Sequence, residues 1–383
     1  MKHTSNAFRL TALLLALAML LSLAGCGSSQ TAETPAETET ETAASETSDP
    51  GIRVTPQETP AETETEAETR PSETAPEGMA RSILTGEWID ADLAARRPVA
   101  VMINNIQASL PQSNITNAQV VYEINVEGGL TRFMALFEDW DEYSQIGTIR
   151  STRPYYVYLS QEWDAVLMHI GQCNWAEELV DSSYVDNVNG VKDGSFAYFR
   201  LNHKTAPNNC YTSADNIRSA IEYFGYDMTM PEDIVTPFRY AIADETVDMT
   251  VSTPATEVHT GISSTQSWYE YNEEDGLYYR YQFGSAHRDE LDRSRQVTAR
   301  NIIIQYVTHD YYGESAYLNM HIVGSGTGYY ITDGQCIPIT WSKADNYSPT
   351  VFRNEAGNEV IMNPGTTWIT LVPDYRMQNT SIS

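Results

Sequence analysis

Apolar residues are spread along this chain in three textures. Residues 10–23 form one nearly uninterrupted apolar run, and residues 27 to about 80 hold almost no large apolar side chain. From about residue 81 apolar and polar positions recur with the short periods of strands and helices. The run Pro98–Asn104 is nearly all apolar and predicts a buried strand, while Val120–Val126 alternates and predicts a second. Gly128-Gly129 turns into a third over Leu130–Glu138, and Ala165–Ile170 reads as a fourth. Arg153–Trp163, with Pro154 just inside its start, predicts a helix. A second helix is predicted from a Ser213 cap through Phe224, with Asp215 in its first turn and Gly225 as its stop.

Beyond residue 250 helical periodicity almost vanishes. Tyr-rich and β-branched runs predict strands over Gln266–Tyr271, Gly276–Phe283, Arg300–Thr308, Ala316–Val323 and Gly328–Ile331. Shorter ones are expected around Ile337–Trp341, Thr350–Arg353 and Thr367–Val372. The pattern predicts an α+β chain: a layered α/β N-terminal domain with a mixed sheet over 81–245, then a small all-β C-terminal domain over 246–383, a sandwich or open barrel.

The apolar run 10–23 follows Lys2 and Arg9, is short for a membrane span, and ends in Leu23-Ala24-Gly25-Cys26. This predicts a lipoprotein signal peptide over 1–25, cleavage before Cys26 and lipid on that thiol. An ordinary secretory signal or an uncleaved anchor helix is the bland alternative. Residues 26–80 then read as a disordered acidic tether, with thirteen acids against Arg53 and Arg70 and too little apolar surface to offset the entropy of ordering. The expected location is the outer face of the cytoplasmic membrane, with the membrane itself a partner through Cys26.

Charge narrows the partners further. The segment to Cys26 carries +2 and the tether −11, so residues 81–383 hold −20 of the net −29. A fold this acidic excludes nucleic acid, which needs a basic footprint. After Cys26, three cysteines remain: Cys173, Cys210 and Cys336. No Cys-x-x-Cys or Cys/His spacing suggests a metal, no motif calls for a cofactor, and at most one disulfide, Cys173–Cys210, is conceivable.

Candidate chemistry concentrates between Asn104 and Asn209. Asn104 ends the first strand, Glu127 and Arg132 flank a Gly-Gly junction, and Arg150-Ser151-Thr152-Arg153 sets two arginines beside a helix start. The run Phe199–Asn209 is also rich in polar groups. Guanidinium forks beside free backbone N–H groups suit phosphate or carboxylate, although each arginine would serve equally well paired with Glu123 or Glu127. His169, ending a buried strand, reads as general base, ligand or structural residue. A Ser151–His169 triad lacks a Gly-x-Ser-x-Gly elbow. Glu123 and Glu127, four apart, would share a face of one strand and could act as a carboxylate pair, unless Gly128 ends the strand first. The aromatic set Trp268, Tyr269, Tyr271, Tyr278, Tyr279 and Tyr281 reads as cross-strand core pairs rather than a sugar platform.

Three runs (Arg97–Asn105, Glu127–Phe137 and Ile146–Tyr155), followed by Asn301–Gln305, Gly324-Ser325-Gly326 and Asn363–Ile369, resemble the YerB-like lipoprotein family over nearly all of residues 85–375. The resemblance implies a layered α/β domain and a β-rich one on a lipid-anchored chain, and it implies no activity. The chain departs from the family pattern at Pro207-Asn208-Asn209, where a Pro-His-Asn run is expected, so no catalytic histidine is carried over there. Two functions follow from these residues. One is a binding or scaffold module for an anionic envelope component or peptide, using Asn104, Glu127, Arg132, Arg150, Arg153 and His169. The other is an envelope hydrolase or transferase using Glu123 or Glu127 with His169.

Overall fold

The computed structural model describes residues 73–383; the signal peptide, Cys26 and most of the tether lie outside the described residues. Strands dominate and helices are few. The principal strands, in chain order, are β1 (Val99–Asn105), β2 (Val120–Asn125), β3 (Thr131–Phe137), β4 (Val166–His169), β5 (Asn187–Asn189), β6 (Thr253–Pro254), β7 (Glu257–His259) and β8 (Trp268–Asn272). They continue with β9 (Leu277–Gln282), β10 (Asn301–Val307), β11 (Gly324–Thr332), β12 (Gln335–Lys343), β13 (Val351–Arg353), β14 (Thr367–Pro373) and β15 (Ser381–Ile382). Two helices matter for packing, α1 (Pro154–Gln161) and α2 (Ala214–Phe224).

Eleven strands form one mixed sheet in the order β6-β12-β11-β10-β14-β2-β3-β1-β4-β5, with β13 on the outer side of β12. The strand β14 lies parallel to both of its neighbours, pairing Thr367 with Val120 of β2 and with Asn301 of β10. Strands from the second half of the chain therefore extend the sheet begun by the first half. They do not close a sandwich or barrel by themselves, because β14 satisfies its two hydrogen-bonding edges with one strand from each half. The remaining C-terminal strands, β7, β8, β9 and β15 with two short pieces, make a separate six-stranded antiparallel sheet.

Both faces of the large sheet are covered, which is why β1 reads as a nearly continuous apolar run. Ala100, Met102, Tyr122, Ile124, Met134 and Ile369 face one layer, where α1 contributes Tyr155, Tyr156 and Leu159. Val99, Val101, Ile103, Val121, Phe133 and Trp368 face the other, against Ile217 and Ala220 of α2 and Tyr269 and Tyr278 of the second sheet. The caps of α2 are those its sequence predicts: Ser213 accepts from the Asn216 N–H, and Gly225 closes the helix at φ +70°.

Candidate functional site

Because β3 is antiparallel to both β1 and β2, the strands β1, β2, β4, β5, β10 and β14 all point the same way. Their carboxyl ends form one edge, the place where open α/β sheets gather ligand groups. The segment 146–153 is laid along β1 at this edge. The Asn104 N–H donates to the Thr148 carbonyl at 2.8 Å and the Arg150 N–H to the Met102 carbonyl at 3.0 Å. This takes the position beside β1 that β4 vacates, and it brings Arg150 and Arg153 to the start of β3, where Arg132 stands.

The three arginines have different company. Arg153, at the N-cap of α1, grips Glu127 with two hydrogen bonds, Nε to Oε1 at 2.8 Å and Nη2 to Oε2. Burial alone would lower the Arg153 pKa and raise that of Glu127; the pair outweighs both effects, so Arg153 is raised and Glu127 lowered. Arg132, 8% exposed, donates from Nη1 to the Ser151 carbonyl at 2.6 Å. Burial, then Arg153 and Arg150, push its pKa down to about 10.

Arg150 has no carboxylate partner among the described residues, and its buried Nε meets no acceptor. Burial and two neighbouring cations, Arg153 and Arg200, lower its pKa. Arg200 is a fourth member that sequence reasoning placed in a polar run without a role. It donates to the Asn209 Oδ1 at 2.8 Å, and Asn208 accepts from the Asn104 Nδ2 at 2.8 Å. Beside Arg153 lies an aromatic rim: its guanidinium sits 5.2 Å from the Tyr317 ring centre, and Trp175, half exposed, stacks on Tyr312 at 5.3 Å.

The other candidates are placed apart. Glu123 is fully buried and ion-paired with Arg280 at 2.7 Å. That pair belongs to a closed ring of hydrogen bonds. Arg280 donates to the His287 Nδ1 at 2.8 Å, His287 Nε2 bonds the Gln112 Oε1 at 2.7 Å, Gln112 donates to the Asn105 Oδ1, and Asn105 returns to Glu123. An acceptor at Nδ1 and a donor at Nε2 define the neutral imidazole, and burial beside Arg280 pushes the His287 pKa well down in agreement. His169 is likewise fully buried, with its Nδ1 at 2.8 Å from the Gly171 carbonyl and its Nε2 at 3.0 Å from the Asn187 Oδ1.

Among the described residues no hydrogen bond or ion pair joins any two of Glu123, Glu127 and His169, and Ser151 meets Arg132 and Arg153 rather than His169. The arrangement supplies fixed positive charge at a sheet edge. It does not supply a base beside a nucleophile. No group of His, Cys, Asp and Glu among the described residues could hold a metal ion. The three cysteines described are free and buried.

The aromatic residues of the second sheet divide by period two. Tyr269 and Tyr278 are buried, whereas Trp268 stacks across strands on Tyr281 at 4.8 Å and on His259 at 6.1 Å. These rings cover one another's faces, as cross-strand pairs do. A groove of about 580 Å³ beside them is lined by Glu257, His259 and Trp268 and contains none of the arginines.

Comparison with known proteins adds the following. Residues 84–227 match the model described as "Protein of unknown function (DUF3048) N-terminal domain", and residues 257–369 match that of the DUF3048 C-terminal domain. The chain is 28% identical over 297 residues to a Bacillus subtilis (strain 168) protein named "Putative lipoprotein YerB", covering 76% of this chain and 86% of the relative. The crystal structure of YerB from Bacillus subtilis superposes with a TM-score of 0.68 at 27% identity, over 79% of this chain and 99% of that one.

Proposed function

The chain belongs to the family that carries the N- and C-terminal domains of DUF3048, and from that premise we propose that it is a lipid-anchored extracytoplasmic protein that binds an anionic component of the cell envelope at the Arg132–Arg150–Arg153 edge. The observation that carries this reading is Arg150: in a chain of net charge −29 its guanidinium has no carboxylate partner among the described residues, and the neighbouring charges that act on it are the cations Arg153 and Arg200. Holding like charges together costs stability, and an arriving anion removes that cost. In this reading Glu127 holds Arg153 in place, Asn104 supports the loop through Asn208, and His169 braces the strand end beneath.

Anchoring rests on Leu23-Ala24-Gly25-Cys26 and on the relative's name. Acyl chains contribute about 0.8 kcal/mol per buried methylene, and a diacylated cysteine supplies the two chains that stable attachment requires. The binding proposal is tested by replacing Arg150 and Arg153 with alanine and measuring association with purified wall fragments. Unchanged association would overturn it. Anchoring is tested by labelling cells with radioactive palmitate: label should enter the native chain and be absent from Cys26→Ser.

A further inference from the structure

The Arg132–Arg150–Arg153–Arg200 edge also constrains the kind of anion, an inference that rests on the binding reading above. Four guanidinium groups meet there. Arg132 donates to the Ser151 carbonyl and Arg153 to the Ser151 hydroxyl, beside Arg150. The Ile149 N–H bonds the carbonyl of Cys210, the residue paired with Arg200 in its hairpin. Arg150 therefore feels Arg153 and Arg200, and Arg132 feels Arg153 and Arg150. Glu127 is the one carboxylate that ion-pairs with any of them among the described residues, and it is already committed to Arg153 by both of its oxygens. Three positive charges are left over. A single carboxylate offers two oxygens and one charge, which one guanidinium fork satisfies by itself.

A phosphate monoester offers three non-bridging acceptor oxygens and a charge approaching two, and a phosphodiester chain repeats one charge and two such oxygens at each link. The set is also built from arginines alone. The nearby Lys204 is occupied by Glu290 at 2.7 Å and by the Pro111 carbonyl at 2.6 Å. Planar forks rather than point charges favour a ligand whose oxygens are fixed in space. Asn208 and Asn209, on the strap that carries Arg200, place amide groups beside the same edge.

We infer that the group bound between Arg150, Arg132 and Arg200 is a phosphate, presented by an envelope phosphate ester, and that Arg150 is its central ligand. Arg150 suits a test because its side chain has no hydrogen-bond or ion-pair partner among the described residues, so Arg150→Ala is expected to keep the fold.

The experiment is calorimetric titration of the full chain at constant ionic strength with inorganic phosphate, glycerol phosphate, a glycerol-phosphate polymer, acetate and succinate. Inorganic phosphate and glycerol phosphate should bind saturably and acetate should not. Arg150→Ala should weaken phosphate binding at least tenfold, and Arg150→Lys, which keeps the charge and loses the fork, should recover only part. Tighter binding of the polymer than of glycerol phosphate would identify a phosphodiester chain as the source; the reverse would identify a monoester end. Binding of acetate or succinate as tight as that of phosphate, lost in Arg150→Ala, would overturn the phosphate assignment and leave the anion reading intact. Indifference of every anion to Arg150→Ala would overturn both.

Discussion

Glu123 on β2 and Arg280 on β9 are joined at 2.7 Å with neither side chain exposed to solvent, although 157 residues separate them in the chain. The guanidinium also lies 4.6 Å from the Trp368 ring centre and 5.2 Å from that of Phe133. Removing one partner strands a buried charge. Glu123→Gln or Arg280→Met alone should therefore cost about 3–5 kcal/mol, while the double change Glu123→Leu/Arg280→Met should recover most of it. Urea unfolding followed by tryptophan fluorescence measures all three. A double variant no better than the singles would show that the ring through Asn105, Gln112 and His287 matters more than the pair.

The two buried histidines set a pH dependence. His169 and His287 are held below their ordinary 6.5, both by burial first and His287 also by Arg280. The unfolded chain binds protons that the fold refuses. Their contribution is therefore complete above about pH 6.5 and declines as the pH falls, with a slope of up to ~1.4 kcal/mol per unit for each proton. Glu138 and Glu162, raised above 4.5 by burial, act in the opposite sense. The quantity to measure is thus the difference between wild type and His287→Gln in urea unfolding at pH 7.5 and 5.5. The variant should lose less stability on acidification.

Glu127 separates binding from catalysis. Its carboxylate neutralises Arg153, so Glu127→Gln frees one more guanidinium and should strengthen anion binding severalfold, at a cost in stability of about 1–3 kcal/mol. A carboxylate that served as general acid or base would give a different result: anion binding unchanged and turnover of an envelope substrate abolished.

Gly328 of β11 pairs with Gln305 of β10. A Cβ there would meet the Ile304 carbonyl oxygen at 2.2 Å, a backbone atom that cannot step aside. Gly328→Ala should force the two strands apart and cost about 3 kcal/mol. Thermal unfolding by circular dichroism would register the loss.

The thiols should be silent in the folded protein. Burial raises the pKa of Cys173 and Cys210, and takes that of Cys336 up to about 12. Maleimide at pH 8 should label these three only after unfolding, and label at Cys173 in the native protein would mean that the aromatic rim opens.

Local pattern carried much of the fold and little of its pairing. The bounds of β1, β2, β3 and α2 follow from periodicity and caps to within a residue or so, because burial on both faces or a Ser/Gly pair leaves a local signature. Nothing local reveals that β14 lies between β2 and β10, since parallel pairing requires only an apolar strand with two open edges. Arg280 occupies an inward position of an alternating strand, which pattern alone assigns to an apolar residue. Glu123 and Glu127 do not act together because the chain leaves the strand between them. The strand ends at Asn125, and Glu127 sits in the turn that follows, ahead of Gly128 at φ +69°, where it meets Arg153 while Glu123 stays in the core. Arg150 and Arg153 were visible as neighbours, but Arg200 joins them only through the hairpin that pairs Phe199–Arg200 with Cys210–Tyr211.

The position of β14 has a consequence for biogenesis. The middle of the sheet stays open until Thr367–Pro373 arrives, long after its flanking strands β2 and β10 have been made. A nascent chain leaving the ribosome can form hairpins such as β2–β3, but it cannot close either core. A chain read as exported benefits from that delay. In the exported reading proposed above, the chain stays threadable through a secretion channel until β14 has crossed, and the sheet is then completed on the far side of the membrane.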